Sequence, residues 1–130
     1  MKTKSILTIL LSALVCALAL GCSSAGGNTM ETISPEQAKQ IMDSGKPYIL
    51  VDVRQPAEYA EGHIKGARLI PDNELEQRAP QELPDKQALI LVYCRSGRRS
   101  LAAAKMLAGM GYTQIKDIGG IISWPYGVEK

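Results

Sequence analysis

Apolar and polar positions along residues 31–130 form blocks that predict strands and helices in alternation. Residues 88–93 are apolar and contain no Gly or Pro, and residues 48–53 are apolar except for one aspartate. Such runs are typical of central strands buried on both faces. Two shorter segments that begin and end with apolar residues, at residues 67–70 and 115–118, predict two more strands. The alternation with helical segments indicates an α/β layered fold with a mainly parallel sheet.

Capping residues and glycines mark the predicted helix ends. Ser34 precedes Pro35, and Gln37 stands three positions after Ser34, which predicts an N-cap, a proline at the first helical position and a capping box. Glycine suits the position just past a helix end. The predicted segments are a helix from Pro35 to about Gly45, a short helix over residues 56–61 before Gly62, a polar helix over residues 73–78 before Pro80 and Pro84, a helix from about Arg99 to Gly109 or Gly111, a turn at Gly119-Gly120 and a packed end at Trp124-Pro125.

The segment after the 88–93 strand carries the candidate chemistry. Cys94 follows that strand, and the next five residues contain Gly97 and three arginines, Arg95, Arg98 and Arg99. Unpaired N–H groups at a helix start, the helix dipole and the guanidiniums all favour a thiolate. We therefore expect a nucleophile whose pKa lies below the free value of about 8.5. The alternative is a buried structural cysteine before a solvated basic turn, which the arginines and glycine disfavour.

The loop at residues 94–99, Cys-Arg-Ser-Gly-Arg-Arg, is similar to the active-site loop of rhodanese-domain sulfurtransferases, which has the pattern Cys-x-x-Gly-x-Arg. The resemblance extends to the Asp-Val-Arg segment within residues 50–59 and the Gly-His-Ile-x-Gly-Ala segment within residues 62–71. Gly119-Gly120 and Trp124 resemble the closing segment of the family. The similarity spans roughly residues 30–127 and implies a small rhodanese domain with a five-stranded sheet.

The resemblance implies a sulfurtransferase that uses Cys94 as its nucleophile. The thiolate would attack the outer sulfur of thiosulfate or a similar donor, and the resulting persulfide would pass its sulfur to cyanide, a thiol or a protein of the envelope. The substrate-binding loop consists of Arg95, Ser96, Gly97, Arg98, Arg99 and Ser100, with Arg99 and one of the other two arginines holding the donor's charge. No metal or organic cofactor is expected, because the sequence offers no cluster of ligands.

Three further residues have both a structural and a chemical interpretation. Asp52 interrupts a buried strand, so it is a general base or, as the family implies, a residue that holds neighbouring loops. Arg54 stabilises bound anion or pairs with an acidic neighbour such as Glu58. His63 is the only histidine and could activate Cys94, as in Cys/His pairs. The family instead implies that His63 belongs to a structural turn.

Two other functions compete with sulfur transfer. Related phosphatases and arsenate reductases resemble Cys-x5-Arg, but the sixth position after Cys94 is Ser100, and Arg99 comes one residue earlier. The shorter loop suits a sulfur atom better than a tetrahedral phosphate. The third possibility is a persulfide carrier or binding module in the cell envelope. Cys94 argues only against a binding module of the kind that lacks a reactive cysteine.

Residues 1–21 have the form of a secretory signal peptide, with two lysines before an uncharged apolar stretch at residues 6–20. Ala19-Leu20-Gly21-Cys22 resembles a bacterial lipobox, which implies cleavage before Cys22 and lipidation of that cysteine. An uncleaved anchor is the alternative, although the stretch is shorter than the roughly 20 residues that a spanning helix needs.

The lipobox predicts how the chain is organised. Residues 22–30 are small and polar and form a flexible tether, and residues 31–130 form the rhodanese domain. We therefore expect an exported, membrane-anchored lipoprotein that faces the periplasm.

Cleavage before Cys22 would change the charge and the number of thiols. The signal holds Lys2 and Lys4 and no acidic residue, so 15 basic residues fall to 13 against 13 acidic ones. This balance, with the arginines in one loop, indicates no nucleic-acid partner. Cys16 would leave with the signal and Cys22 would carry lipid, so Cys94 would be the one free thiol in an oxidising compartment. A thiol kept there is expected to have a use.

Overall fold

The computed structural model describes residues 29–130, so the predicted signal peptide and Cys22 lie outside the described residues. The elements in chain order are β1 (Met30–Thr32), α1 (Pro35–Asp43), β2 (Ile49–Asp52), α2 (Pro56–Glu61), β3 (Arg68–Leu69), a 3-10 turn (Asp72–Glu74), α3 (Leu75–Glu82), β4 (Leu89–Cys94), α4 (Arg98–Gly109), β5 (Gln114–Gly120) and a second 3-10 turn (Ile121–Ser123). Within residues 29–130, no helix is long and apolar enough to cross a bilayer.

The five strands form one parallel sheet in the order β1-β5-β4-β2-β3, which confirms the predicted α/β fold. β4 lies at the centre, between β5 and β2. Because all strands run in the same direction, the carboxyl ends of β2, β4 and β5 meet at one edge of the sheet. Ligands bind at such an edge in open α/β sheets.

Side chains of the central strand alternate between two hydrophobic cores, as the period of two in a strand requires. Ile90, Val92 and Cys94 pack in the core that contains α3 and α4 residues. Leu91 and Tyr93 pack in the opposite core, with residues of α1 and the segment after β5. Cys94 therefore directs its sulfur toward the face that carries α4.

The start of α1 confirms the predicted cap. The backbone N–H of Gln37 donates to Ser34 Oγ at 3.1 Å, and the backbone N–H of Ser34 donates to Gln37 Oε1 at 2.9 Å. Pro35 is the first helical residue. The capping box fixes where the chain turns from β1 into α1.

The structure corrects the prediction of a short helix that ends before Pro80. α3 continues to Glu82 with Pro80 inside it, because Leu75, Ala79 and Leu83 recur every four residues and are fully buried. A proline near a helix end removes only one backbone hydrogen bond, which this burial outweighs.

Two other predictions differ from the structure at the sheet. The sequence predicts no strand at β1, because the strand has only three residues and two of them, Glu31 and Thr32, are polar. Gly119 and Gly120 were predicted as a turn, but both belong to β5, and Gly120 pairs with Cys94 after a register shift. The carboxyl end of β5 therefore reaches the loop that follows Cys94.

Candidate active site

The sulfur of Cys94 lies between a strand end and a helix start. Cys94 is the last residue of β4 and is 1% exposed, and α4 begins four residues later at Arg98. Gly97 precedes that helix with φ +102°, a conformation that residues with a side chain rarely adopt. In this conformation its backbone N–H donates to Cys94 Sγ at 3.0 Å. An amide at a helix start thus supports the sulfur, as the sequence predicts.

Ser100 in the first turn of α4 faces inward rather than toward solvent. Its hydroxyl is fully buried and lies 3.5 Å from Cys94 Sγ. The same hydroxyl donates to Asp117 Oδ1 at 2.7 Å, and two backbone carbonyls, those of Gly97 and Gly119, lie at 3.2 and 3.3 Å. Ser100 therefore contacts the nucleophile from inside the domain and not from the substrate side.

The three arginines of the loop have different environments. Arg95 and Arg98 are exposed, and within residues 29–130 neither forms an ion pair. Arg99 is half-buried, and its guanidinium donates to both carboxylate oxygens of Glu58, at 2.8 and 2.9 Å. The hydrogen bonds from Arg99 lower the pKa of Glu58 to about 2. The charges open to an incoming anion are thus those of Arg95 and Arg98.

The structure confirms that Arg54 pairs with an acidic neighbour, but the partner is Asp52 and not Glu58, the example named from the sequence. Arg54 donates instead to Asp52, with Nη2 to Oδ2 at 2.7 Å, Nε to Oδ1 at 3.0 Å and its backbone N–H to Oδ1 at 2.9 Å. Its Nη2 also donates to the carbonyl of Gly62 at 2.7 Å. Both side chains are buried, so the pair is compensated and ties β2 to the end of α2.

Gly120 supports the loop through its lack of a side chain. A Cβ at this position would overlap the carbonyl oxygen of Arg95 and lie 2.5 Å from Cα of Ser96. The backbone N–H of Ile122 donates to that same Arg95 carbonyl at 3.2 Å. The end of β5 therefore holds the residues after Cys94 at backbone-to-backbone contact distance.

Comparison with known proteins identifies the family of this site. A protein-family model described as "Rhodanese-like domain" matches residues 34–125. The match covers more than half of the chain and includes Cys94 and its loop. The chain belongs to the rhodanese-like family.

Individual relatives are similar over most of this rhodanese-like domain. Thiosulfate sulfurtransferase PspE of Escherichia coli (strain K12) is 41% identical over 71 residues, which are 55% of this chain and 68% of that protein. Thiosulfate sulfurtransferase GlpE of Ectopseudomonas mendocina (strain ymp) is 34% identical over 93 residues, 71% of this chain and 82% of that protein. The solved structure described as rhodanese with anions from E. coli is 36% identical, with a TM-score of 0.61, and covers 65% of this chain and 99% of that one. These similarities support sulfurtransferase activity.

His63 of the rhodanese-like domain takes part in a contact between the end of α2 and the chain terminus. Its Nδ1 lies 3.0 Å from the carbonyl of Tyr59, its ring stacks on the Tyr59 ring at 3.7 Å, and its Nε2 lies 3.6 Å from Glu129 Oε1. The backbones of His63 and Glu129 also form an antiparallel bridge. These contacts favour the structural role over activation of Cys94.

Sequence reasoning missed Asp117, which the structure brings into contact with Ser100. Asp117 lies in β5 and is 3% exposed. The sequence signal was weak, because Lys116 directly precedes Asp117, whereas Asp52 stands alone among apolar residues. Only the pairing of β4 with β5, with Val92 opposite Asp117, shows that this carboxylate lies on the side of Cys94.

A surface depression borders the loop. Its volume is about 290 Å³, and it is lined by Arg54, Glu58, Glu61, Arg95, Ile121 and Ile122. Two larger depressions, of about 420 and 490 Å³, are lined by residues at the start of the central strands and near the terminus, and neither includes a residue of the loop. The smallest of these three depressions is the candidate substrate site, because it borders Arg95 of the loop and the two larger ones do not.

Proposed function

We propose that this rhodanese-like domain transfers sulfane sulfur from thiosulfate or a similar anionic donor, through a persulfide on Cys94, to a thiol, cyanide or a protein acceptor. The observation that carries the proposal is the position of Cys94 Sγ, which lies at the carboxyl end of the central strand and accepts a hydrogen bond from the Gly97 amide. The names of the PspE and GlpE relatives support thiosulfate as the donor.

The reaction divides into two displacements. In the first, the Cys94 thiolate forms a bond to the outer sulfur of thiosulfate, the S–S bond of the donor breaks, and its electron pair leaves with sulfite. In the second, an acceptor such as cyanide or a thiolate attacks the terminal sulfur of the persulfide and releases the Cys94 thiolate. Such a sequence gives ping-pong kinetics.

Arg95 and Arg98 meet the charge of the donor in this proposal. Both are exposed on the loop, whereas the Arg99 guanidinium donates both of its hydrogen bonds to Glu58. Arg99 then fixes the start of α4 against α2, and the two exposed guanidiniums attract the sulfonate end of thiosulfate. The depression beside Arg95, with the exposed side chain of Ile122 at its rim, offers room for an acceptor.

Phosphoryl transfer is less well supported by the same geometry. The arginine of the phosphatase pattern would stand at Ser100, but Ser100 is fully buried and its hydroxyl is bonded to Asp117. Arg99 is engaged with Glu58. The position that a phosphatase uses to clamp its substrate is therefore occupied by a small inward-facing residue.

Mass spectrometry after incubation with thiosulfate tests the proposal. We expect the protein to gain one sulfur, about 32 Da, on Cys94 as a persulfide. We also expect turnover to thiocyanate or to a thiol persulfide, and loss of both the gain and the turnover in Cys94→Ser. A gain without turnover would indicate a carrier, and no gain at all would indicate a binding module and overturn the proposal.

We also propose that the domain is exported and attached to a membrane through lipid on Cys22. The support comes from the sequence, where a signal-like stretch ends in Ala19-Leu20-Gly21-Cys22. β1 begins at Met30, so residues 22–29 separate the proposed lipid from the sheet. On this basis the sulfur donors and acceptors are those of the cell envelope.

A further inference from the structure

Asp117 is a buried carboxylate that the proposed reaction has not used. It is 3% exposed, and within residues 29–130 it forms no ion pair. Its Oδ1 accepts hydrogen bonds from Ser100 Oγ at 2.7 Å and from the backbone N–H of Gly119 at 3.0 Å, and its Oδ2 accepts from Thr32 Oγ1 at 3.3 Å. A buried charge without a cation is costly, and such groups occur preferentially at functional sites.

Ser100 links this carboxylate to the nucleophile. Its hydroxyl has one proton to donate and can accept through its lone pairs. The proton goes to Asp117, because that O–O distance of 2.7 Å is the shortest of its contacts. The hydroxyl oxygen is then an acceptor toward Cys94, whose thiol donates to it at an S–O distance of 3.5 Å.

Loss of the Cys94 proton changes the whole chain of bonds. A thiolate needs a donor, so the Ser100 hydroxyl must turn its proton toward Sγ. The oxygens of Ser100 and Asp117 would then face each other at 2.7 Å without a proton between them, which is repulsive unless the carboxyl is protonated. If the hydroxyl keeps its bond to Asp117, two buried anions remain on either side of one oxygen. Because both arrangements are unfavourable when the two groups are deprotonated together, Cys94 and Asp117 are expected to hold one proton between them.

We propose that Cys94 and Asp117 share one proton through Ser100, so that Asp117 is the acceptor for the proton that leaves the thiol when the nucleophile is formed. The transfer is balanced along the chain. The S–H bond breaks as a new O–H bond forms on Ser100, and the original Ser100 proton moves to Asp117 Oδ1. The products are a thiolate that accepts a hydrogen bond from Ser100 and a neutral carboxyl that donates to it.

The return of this proton fits the second half of the reaction. When the acceptor removes the terminal sulfur, Cys94 is released as a thiolate beside the protonated carboxyl. The proton on Asp117 can then return through Ser100, and the resting arrangement of the structure is restored. Asp117 is in this sense a positioning residue for Cys94, since it acts through Ser100 and does not contact the sulfur itself.

The charged groups around the pair do not supply an alternative proton acceptor in the neutral range. Arg95 and Arg98 lie on the loop, and Arg99 is a guanidinium bonded to Glu58, whose pKa of about 2 keeps it ionised. On β2, Asp52 is paired with Arg54, and on β5 the neighbouring Lys116 is paired with Glu31. The His63 ring is engaged elsewhere, with its Nδ1 3.0 Å from the carbonyl of Tyr59 on α2.

The thiolate absorbance of the full-length chain, measured from about pH 4 to about pH 10, tests the shared proton. Each profile is corrected by that of the same chain carrying Cys94→Ser, which removes the absorbance of the other thiols and the tyrosines. We expect two ionisation steps for the wild type, because coupled groups lose their protons in two steps that belong to the pair. Asp117→Asn and Ser100→Ala should each reduce the profile to one step.

A double variant distinguishes proton transfer through the Ser100 hydroxyl from a direct electrostatic effect of the Asp117 charge on Cys94. If the proton passes through Ser100, Asp117→Asn should change nothing further in a Ser100→Ala background. Thr32→Val removes the other side-chain contact of Asp117 but leaves the hydrogen bonds between Cys94, Ser100 and Asp117 intact. It should keep two ionisation steps, and so should His63→Gln. Both are matched controls for damage to the fold, which the thermal midpoint reports.

A single step in the wild type that Asp117→Asn leaves unchanged would overturn the inference. So would an equal effect of Asp117→Asn with and without the Ser100 hydroxyl. If Asp117→Asn does not fold, the wild type and Ser100→Ala still decide, since a one-step wild-type profile excludes a shared proton. The inference builds on Cys94 as the nucleophile, but no sulfur donor enters the measurement, so failure of the shared proton and failure of sulfur transfer are distinguishable.

Discussion

At the scale of single residues, the sulfur of Cys94 depends on the backbone conformation of Gly97. With φ +102° the Gly97 N–H donates to Sγ at 3.0 Å, and a Cβ would meet only ordinary contacts, the nearest 3.6 Å away at Cα of Gly119. Space is therefore available, and the conformation itself is what disfavours a side chain. Residues other than glycine pay about 1–2 kcal/mol for a left-handed conformation.

The first prediction concerns Gly97→Ala. We expect the free energy of unfolding to fall by about 1–2 kcal/mol, or the loop to move to a conformation with negative φ. In the second case the amide leaves the sulfur, and kcat/KM for sulfur transfer should fall by about 10-fold or more. Denaturant unfolding and steady-state kinetics measure the two effects.

Gly109→Ala is the matched control for Gly97→Ala. Gly109 is the last residue of α4, its φ is not positive, and nothing lies within 4 Å of a Cβ built there. We expect unchanged kinetics and an equal or higher stability, because alanine favours helix over glycine. Equal behaviour of the two variants would contradict the role assigned to Gly97.

Residue identities alone predicted the nucleophile and its loop but not the pairing of charges. Arg54 and Glu58 are close in sequence, so an ion pair between them was a natural expectation, yet Asp52 lies two residues from Arg54 and receives its guanidinium instead. Glu58 pairs with Arg99, which is 41 residues away. Asp117 contacts Ser100 only because β5 lies beside β4. Contacts of this kind depend on strand order, which a local pattern does not contain.

At the scale of elements, the ion pair between Glu58 and Arg99 joins α2 to the first turn of α4. The two guanidinium nitrogens and the two carboxylate oxygens meet at 2.8 and 2.9 Å, a geometry that is among the stronger forms of ion pair. Glu58 Oε2 also accepts from the backbone N–H of Gln55 at the start of α2. One carboxylate thus fixes both a helix cap and the helix that follows Cys94.

The second prediction is a loss of stability in acid that depends on Glu58. Its pKa is lowered from 4.5 to about 2, so the stabilisation is present above pH 4.5 and is lost as the pH falls toward 2. The full shift corresponds to about 3 kcal/mol, and because about a third of each side chain is exposed we expect about 1–2 kcal/mol. Denaturant midpoints of the wild type and Glu58→Gln at neutral and acid pH measure it.

The control for Glu58→Gln is Glu61→Gln, three residues later on α2. Glu61 is exposed, and within residues 29–130 it takes part in no ion pair. Glu61→Gln should lose as much stability in acid as the wild type. Glu58→Gln should be less stable than the wild type at neutral pH and should lose less stability on acidification. If both variants follow the wild-type curve, the contact between α2 and α4 does not contribute to stability.

The third prediction concerns the contact of β5 with the loop after Cys94. Gly120→Ala would force its Cβ against the backbone of Arg95 and Ser96, which cannot move away as a side chain can. We expect displacement of the loop and a fall in kcat/KM of at least about 10-fold, with a thermal midpoint lowered by several degrees. Kinetics and thermal unfolding, compared with Gly109→Ala, measure both, and wild-type activity in Gly120→Ala would contradict the close contact.

The elements with strong periodic patterns were predicted from the sequence, and the weak ones were not. β2 and β4 are buried on both faces and therefore carry apolar runs, which only Asp52 at the end of β2 interrupts. β1 has three residues with little burial, so its place at the edge of the sheet depends on pairing with β5 and not on its own pattern. Pro80 ended the predicted helix, but the burial of Leu75, Ala79 and Leu83 extends α3 past it.

At the scale of the whole molecule, the candidate site and the start of β1 lie at opposite ends of the parallel strands. β1 begins at Met30 on one edge of the sheet, and Cys94 lies at the carboxyl end of the central strand. Because the sheet is parallel, Met30 lies at the amino-terminal end of the strand direction, whereas the loop after Cys94 lies at the carboxyl end.

The fourth prediction tests the proposed attachment through Cys22. In a bacterial host with a lipoprotein pathway, the chain should incorporate labelled palmitate and fractionate with membranes, and Cys22→Ser should abolish both without lowering the sulfur-transfer activity of the released domain. Cys16→Ser is the matched control, since Cys16 lies within the apolar stretch of the proposed signal and carries no lipid in this proposal. Unlabelled wild type, or equal labelling of Cys22→Ser and wild type, would show that Cys22 is not the attachment point, whereas the proposed chemistry at Cys94 would stand unaffected because Cys94 and its loop lie wholly within residues 29–130.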